Sequence, residues 1–193
     1  MVILIKNTAS TVGLLTSEKA IIGTNPLCIG LPDCQFIYDS STSTVATNKL
    51  RLFSKQKKKF SSILGKTSTK RVTKDPQDIL TDDGFLFPFS WEEGFWYKSF
   101  FLGVVIECLA SLAGGKTGER VGKNKGKRLY SQEGMMAILV DKKCFPEYQN
   151  YLNEKKYFFK DLERYKVRLP GTHSRNLKKI KIYQKDWEEV CRL

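Results

Sequence analysis

The stretch Ala20–Pro32, AIIGTNPLCIGLP, joins a tight polar turn to a short strand. Gly23 permits a close backbone approach and Pro26 stiffens the turn, while Thr24 and Asn25 add polar groups between them. LCIGLP then reads as a strand, and the turn residues Pro32 and Asp33 separate it from a second short strand, QFIYD. That strand runs into DSSTS, Asp39–Ser43, where a carboxylate and a row of hydroxyls stand on a strand-to-helix turn. Ribose and phosphate recognition needs such groups. The plain alternative is a helix N-cap supplied by Asp39 or Ser41.

Outward from this centre, VILI (Val2–Ile5) reads as a buried strand placed directly after Met1. From Asn48 to Lys74 the chain holds ten Lys or Arg and no acid, and it reads as a long exposed basic loop or a frayed helix. SFFLGVVIECLASL (Ser99–Leu112) is apolar on nearly every face and longer than a typical strand, which predicts a buried helix. Glu107 inside it requires a hydrogen-bonding partner, expected to be a backbone N–H or a hydroxyl near DSSTS. GMMAILVD returns to strand. Pro146 suits a first helical position, after which Tyr148, Tyr151, Leu152, Phe159 and Leu162 share one face. KDWEEVCRL is expected to form a short terminal helix around Trp187. The organisation expected is a domain over 1–145 that includes the basic loop 48–74, followed by a helical segment and tail over 146–193.

Gly115-Lys116-Thr117 ends like a phosphate-binding P-loop, but such a loop opens a helix. Here the glycines follow the long apolar helix and terminate it, at the end whose partial charge repels phosphate. The 193 residues carry a net charge of +13 and 41% hydrophobic residues, the mark of a globular chain with a Lys-rich surface. Nucleic acid is a possible partner for that charge, yet Asn48–Lys74 has only Phe53 and Phe60 as stacking groups, which argues against it. Five scattered cysteines without a C-x-x-C pair argue against a metal site or a disulfide framework. The longest apolar run is too short to span a bilayer, so a cytoplasmic protein is expected, with no membrane partner.

GTNPLCIGLP and DSSTSTVATNK together resemble the malate/L-lactate dehydrogenase family, whose members read G-T-N-P-[IL]-x-[IF]-x-x-P and then D-M-A-T-S-x-x-A-x-G-K. The order continues: TKDP resembles T-D-P, YKSFFLGVVIECLASLAGG resembles Y-K-G-Y-G-L-A-x-x-V-E-x-L-x-G-x-L-T-G, and RLPGTHSR lies where the family has P-G-E-P. The resemblance implies an α/β fold with a largely antiparallel sheet, unlike the doubly wound dinucleotide fold, in a homodimer. It implies hydride transfer between NAD or NADP and a small 2-hydroxy/2-oxo acid. Cofactor contacts are expected at Thr24, Asn25, Asp39, Ser40, Ser41, Thr42, Lys98 and Gly171.

The match is incomplete. The family's two histidine-bearing stretches, S-H-G-x-x-R and N-S-N-H-F-G, would precede Met1, and the single histidine, His173, lies in the P-G-E-P region. No catalytic residue is therefore assigned. The chain is expected to be an N-terminally truncated member, inactive alone; a pseudoenzyme that binds cofactor weakly or only dimerises is the alternative. Ser99 stands where the family has a glycine after the lysine, and its side chain is expected to intrude where the backbone approaches cofactor.

Overall fold

In a computed structural model, the structure describes residues 1–32, 36–81, 83–121, 132–167 and 169–170. Four antiparallel strands form the main sheet: β1 (Val2–Lys6), β2 (Leu27–Gly30), β3 (Ile37–Ser40) and β7 (Met135–Leu139), in the order β3-β2-β1-β7. A smaller antiparallel sheet has the order β5-β4-β6, from β4 (Gly65–Lys66), β5 (Val72–Thr73) and β6 (Phe85–Leu86). The helices are α1 (Thr47–Lys55), α2 (Pro76–Thr81), α3 (Trp96–Leu112) and α4 (Tyr148–Arg164). The core gathers Val12, Ile22, Val45, Leu50, Leu64, Ile79, Leu86 and Phe100 between the small sheet and the first three helices.

Strand β1 forms where VILI predicts it, at the centre of its sheet, but it is not buried throughout. Ile5 is buried while Val2 and Leu4 are exposed, because alternate residues of a strand point to opposite faces. Helix α3 likewise forms and is buried on one side only. Phe100, Gly103, Ile106, Glu107 and Ala110 face inward, whereas Phe101 (55%), Val105 (53%) and Leu112 (76%) remain exposed. Gly103 keeps the approach close there: a Cβ would sit 2.7 Å from Ile22 Cδ1 and 3.0 Å from Thr42 Oγ1, so those side chains would have to shift.

The basic stretch 48–74 is not a loop. It contains α1, β4 and β5, and it buries Leu50 and Leu64. Phe53 stacks on Phe60 with ring centroids 4.2 Å apart, anchoring the chain beyond α1. Lys66 is itself buried, donating from Nζ to the carbonyls of Leu15 (2.7 Å) and Ser17 (3.1 Å). A dense run of cations can coat one side of an ordered segment whose few apolar residues turn inward; charge alone does not imply disorder. In TKDP, Asp75 caps α2 by accepting the Gln77 N–H at 2.9 Å, and Pro76 opens the helix.

Helix α4 presents the expected face: Tyr148, Tyr151, Leu152, Phe159 and Leu162 are half-buried. It starts at Tyr148 rather than at Pro146. Its docking is marked by the Tyr151 hydroxyl donating to Pro32 O at 3.5 Å and by Phe159 meeting Phe36 at 6.2 Å. Gly171, His173 and Trp187 lie outside the described residues, as does most of the proposed tail. Among the described residues no helix is long and apolar enough to cross a membrane.

Candidate cofactor site

Threonine and asparagine in G-T-N-P face different surroundings. Gly23 lies against Thr8 O, where a side chain has no room, so its close approach is to this chain's own backbone. Thr24 N donates to Thr8 Oγ1 at 3.0 Å, and the two threonine hydroxyls are 3.3 Å apart. Asn25, at φ 35°, turns its side chain fully into the interior. Its Nδ2 donates to Gly103 O (2.9 Å) and Glu107 Oε2 (2.6 Å), and its Oδ1 accepts the Thr8 N–H (3.1 Å).

Glu107 is 4% exposed and receives two more donors, Asn7 Nδ2 at 3.2 Å and Gly118 N at 2.8 Å, both on Oε1. Asn7 is in turn held by Lys116 O (2.6 Å) and by the Gly134 N–H on its Oδ1 (2.7 Å). A backbone N–H partner for this carboxylate is therefore present; the others are amides, not the hydroxyls of DSSTS. The GGKTG loop also finds its use here. Gly114, at φ 87°, follows the end of α3, and Gly118 offers its N–H to an internal carboxylate rather than to a phosphate.

A surface pocket of about 580 Å³ opens where the turn, the end of β3 and the start of α1 meet. Thr24, Asp39, Ser40 and Ser41 line it, together with Lys6, Thr8, Thr11 and the α1 residues Thr47, Asn48 and Arg51. Neither Asp39 nor Ser41 caps the helix: the N-cap position is Ala46, which offers no side-chain hydrogen bond. The first-turn N–H groups of α1 thus stand beside the pocket without a side-chain acceptor among the described residues, a site suited to an anion. Lys6 is engaged by Glu133 at 2.7 Å. The side chains of Asp39 and Arg51 make no hydrogen bond or ion pair with the described residues.

Thr42, in contrast, is buried behind this pocket, with its Oγ1 donating to Thr24 O at 3.2 Å and its N–H donating to the same oxygen at 2.9 Å. Lys98 is also absent from the pocket lining. It is exposed, with Nζ 5.1 Å from the ring centroid of Phe95. Phe95 lines a second cleft of about 580 Å³ with Lys49, Phe60, Ser90 and Trp91. The two clefts flank the first turn of α1.

Ser99 does not intrude into either. It is fully buried, and its Oγ accepts the Ser90 N–H at 3.2 Å and lies 2.8 Å from Ser90 Oγ. The polar pocket residues not expected from the sequence are Lys6, Thr8, Thr11, Thr47, Asn48, Arg51 and Glu133. The lack of any Ser, Thr, Asp or Asn at Ala46 was the available signal that this helix end was left open.

The architecture is an α/β fold with antiparallel sheets, not a doubly wound parallel one, and a polar pocket lies against the start of α1. The malate/L-lactate dehydrogenase family model matches residues 1–185, and the chain belongs to that family. It is 26% identical over 179 residues to the malate/(S)-sulfolactate dehydrogenase of Methanothermus fervidus, covering 90% of this chain and 51% of that protein. The fold matches sulfolactate dehydrogenase from Methanocaldococcus jannaschii with a TM-score of 0.77 at 19% identity, over 99% of this chain and 58% of the other. Delta1-piperideine-2-carboxylate reductase from Pseudomonas syringae pvar. tomato matches with a TM-score of 0.75 at 22% identity, over 99% and 60%. The chain thus spans about half the length of these relatives.

Proposed function

We propose that this chain is the nicotinamide-cofactor-binding portion of an oxidoreductase that interconverts 2-hydroxy and 2-oxo acids, of malate, lactate or sulfolactate type. The carrying observation is that GTNP and DSSTS, set side by side by the β2–β3 pair, meet in one pocket at the uncapped start of α1. In this reading Asp39 accepts hydrogen bonds from ribose hydroxyls, with Ser40, Ser41 and Thr24 offering further polar contacts. The first turn of α1 faces phosphate. Asn25 and Thr42 position the turn rather than touch the ligand, because their side chains are committed inside. When bound, the cofactor would supply or accept the hydride, and the protein's task is to orient it.

Proton transfer and clamping of the acid's carboxylate call for a positioned acid–base group and a cation. Of the pocket's ionisable residues, Lys6 and Glu133 neutralise one another, and no histidine is among the described residues lining it. We infer that this chain alone does not turn over substrate, since the described residues lining the pocket offer no such acid–base pair. The exposed stripe of α3, Tyr97, Phe101, Val105, Cys108 and Leu112, recurs at helical spacing and supports pairing with a second copy. Phe101→Asp should then shift the light-scattering mass from dimer to monomer; a native chain that is already monomeric would refute the pairing.

Fluorescence titration of chain 1–193 with NADH and NADPH, followed by absorbance with oxaloacetate or pyruvate, tests the main reading. Saturable binding without oxidation is expected. Binding of neither nucleotide would overturn the cofactor assignment, and steady oxidation would overturn the inference about turnover.

A further inference from the structure

We propose that Arg51 makes this pocket selective for NADP(H), by pairing its guanidinium with a phosphate on the ribose 2′ position; this rests on the cofactor reading above. Arg51 follows Thr47 by four residues and Asn48 by three, so all three share one face of α1, and all three line the pocket. Helical side chains lean toward the N-terminus, which carries the Arg51 guanidinium back alongside the uncapped first turn. The open helix end and a full positive charge thereby address the same region.

Charge balance favours a phosphate over a bare hydroxyl there. Lys6 is occupied by Glu133, leaving Arg51 as the cation of the pocket without a protein partner among the described residues. Asp39 suits a ribose hydroxyl, but alone it would repel a neighbouring phosphate. Arg51 offsets that charge, and its planar fork matches phosphate oxygens two at a time. Asp39–Ser41 handle the ribose in this arrangement, and α1 begins six residues after Ser41. A phosphate borne on that ribose is therefore the one that α1 and Arg51 would meet.

The test is titration of chain 1–193 and of Arg51→Gln with NADPH and NADH, with 2′,5′-ADP and 5′-AMP as competing probes. The native chain should bind NADPH about tenfold tighter than NADH, the usual scale for one charge-assisted bidentate contact. Only 2′,5′-ADP should compete strongly. Arg51→Gln should lower NADPH affinity to that of NADH. Equal affinities in the native chain would overturn the inference while leaving the cofactor reading intact. A parallel loss of both nucleotides in Arg51→Gln would also overturn it, assigning Arg51 to the phosphates common to both. Binding of neither nucleotide to the native chain would remove the cofactor reading and this inference together.

Discussion

Thr24 and Asn25 are neighbours in the chain, yet they belong to two polar regions that obey opposite rules. Around Glu107 the described contacts close on themselves: Asn7, Asn25 and Gly118 supply its donors, and the asparagine oxygens take backbone N–H groups in turn. In the pocket that Thr24 lines, Asp39, Arg51 and the start of α1 converge without satisfying one another. Buried polar groups are tolerated when paired, so the first region is structural. Groups that converge and stay unpaired at a surface are available to a ligand. A motif read as one functional unit is therefore divided, with alternate residues serving the interior and the pocket.

Glu107→Leu attacks the closed region and should have the largest effect. The substitution removes only the acceptor and strands three donors, two of them asparagine amides. A loss of about 3 kcal/mol or more is expected, from the cost of unsatisfied buried donors. For a chain of this size that corresponds to a fall in melting temperature of roughly 6–12 °C. An unchanged or raised melting temperature would mean that the amides find other partners and that the closed network is not what holds α3 to β1.

Ser99→Gly comes next and separates the structure from the family pattern. The pattern places a glycine here for cofactor, which would make the native serine an obstruction. The geometry gives the hydroxyl to Ser90 instead, so its removal should cost about 2 kcal/mol from two lost hydrogen bonds and a helical glycine. Nucleotide affinity should not change. Tighter binding in Ser99→Gly would show that the serine does reach the pocket. Asp39→Ala should behave in the opposite manner: stability within about 0.5 kcal/mol of native, as for an exposed group without partners. Its nucleotide affinity should fall about tenfold, the scale of a lost hydrogen bond to a charged group. Loss of melting temperature rather than affinity would place Asp39 among the structural residues.

The two regions were unequally legible in the sequence. GTNP followed by a strand, and the Ser99–Leu112 part of α3, were readable because turn chemistry and apolar length are local signals; the start at Trp96 was not. The half-buried face of α4 was readable from period alone. Which of Thr24 and Asn25 faces the pocket was not, since it depends on Glu107, eighty-two residues beyond Asn25. The basic stretch misled for a related reason. Its lysines dominate the composition, while the buried Leu50 and Leu64 join a core that also draws Val12, Ile22 and Phe100 from far along the chain. Exposure of one side of α3 and of alternate residues in β1 escaped as well, because an apolar run reports that a segment prefers cover without reporting which faces are covered.

Asp75 yields the smallest effect and tests whether a surface carboxylate in a family motif is structural. The Gln77 N–H donates to it, and Lys59 Nζ lies 3.1 Å away; these hold its carboxyl below the usual range. With the folded value depressed, the stabilisation is fully present above the ordinary carboxylate pKa of about 3.9 and is lost as pH falls through the lower folded value. Asp75→Asn keeps a capping oxygen but cannot ionise, so its stability at neutral pH should lie within a few tenths of a kcal/mol of native, about the difference between good caps. Melting temperatures measured from neutral pH down to strongly acid conditions should converge as Asp75 becomes protonated in the native chain. The native chain should be slightly the more stable at neutral pH and should lose that margin on acidification. If the difference between the two proteins did not change with pH, the charge would contribute nothing to the cap, and Lys59 would be an ordinary solvated lysine beside it.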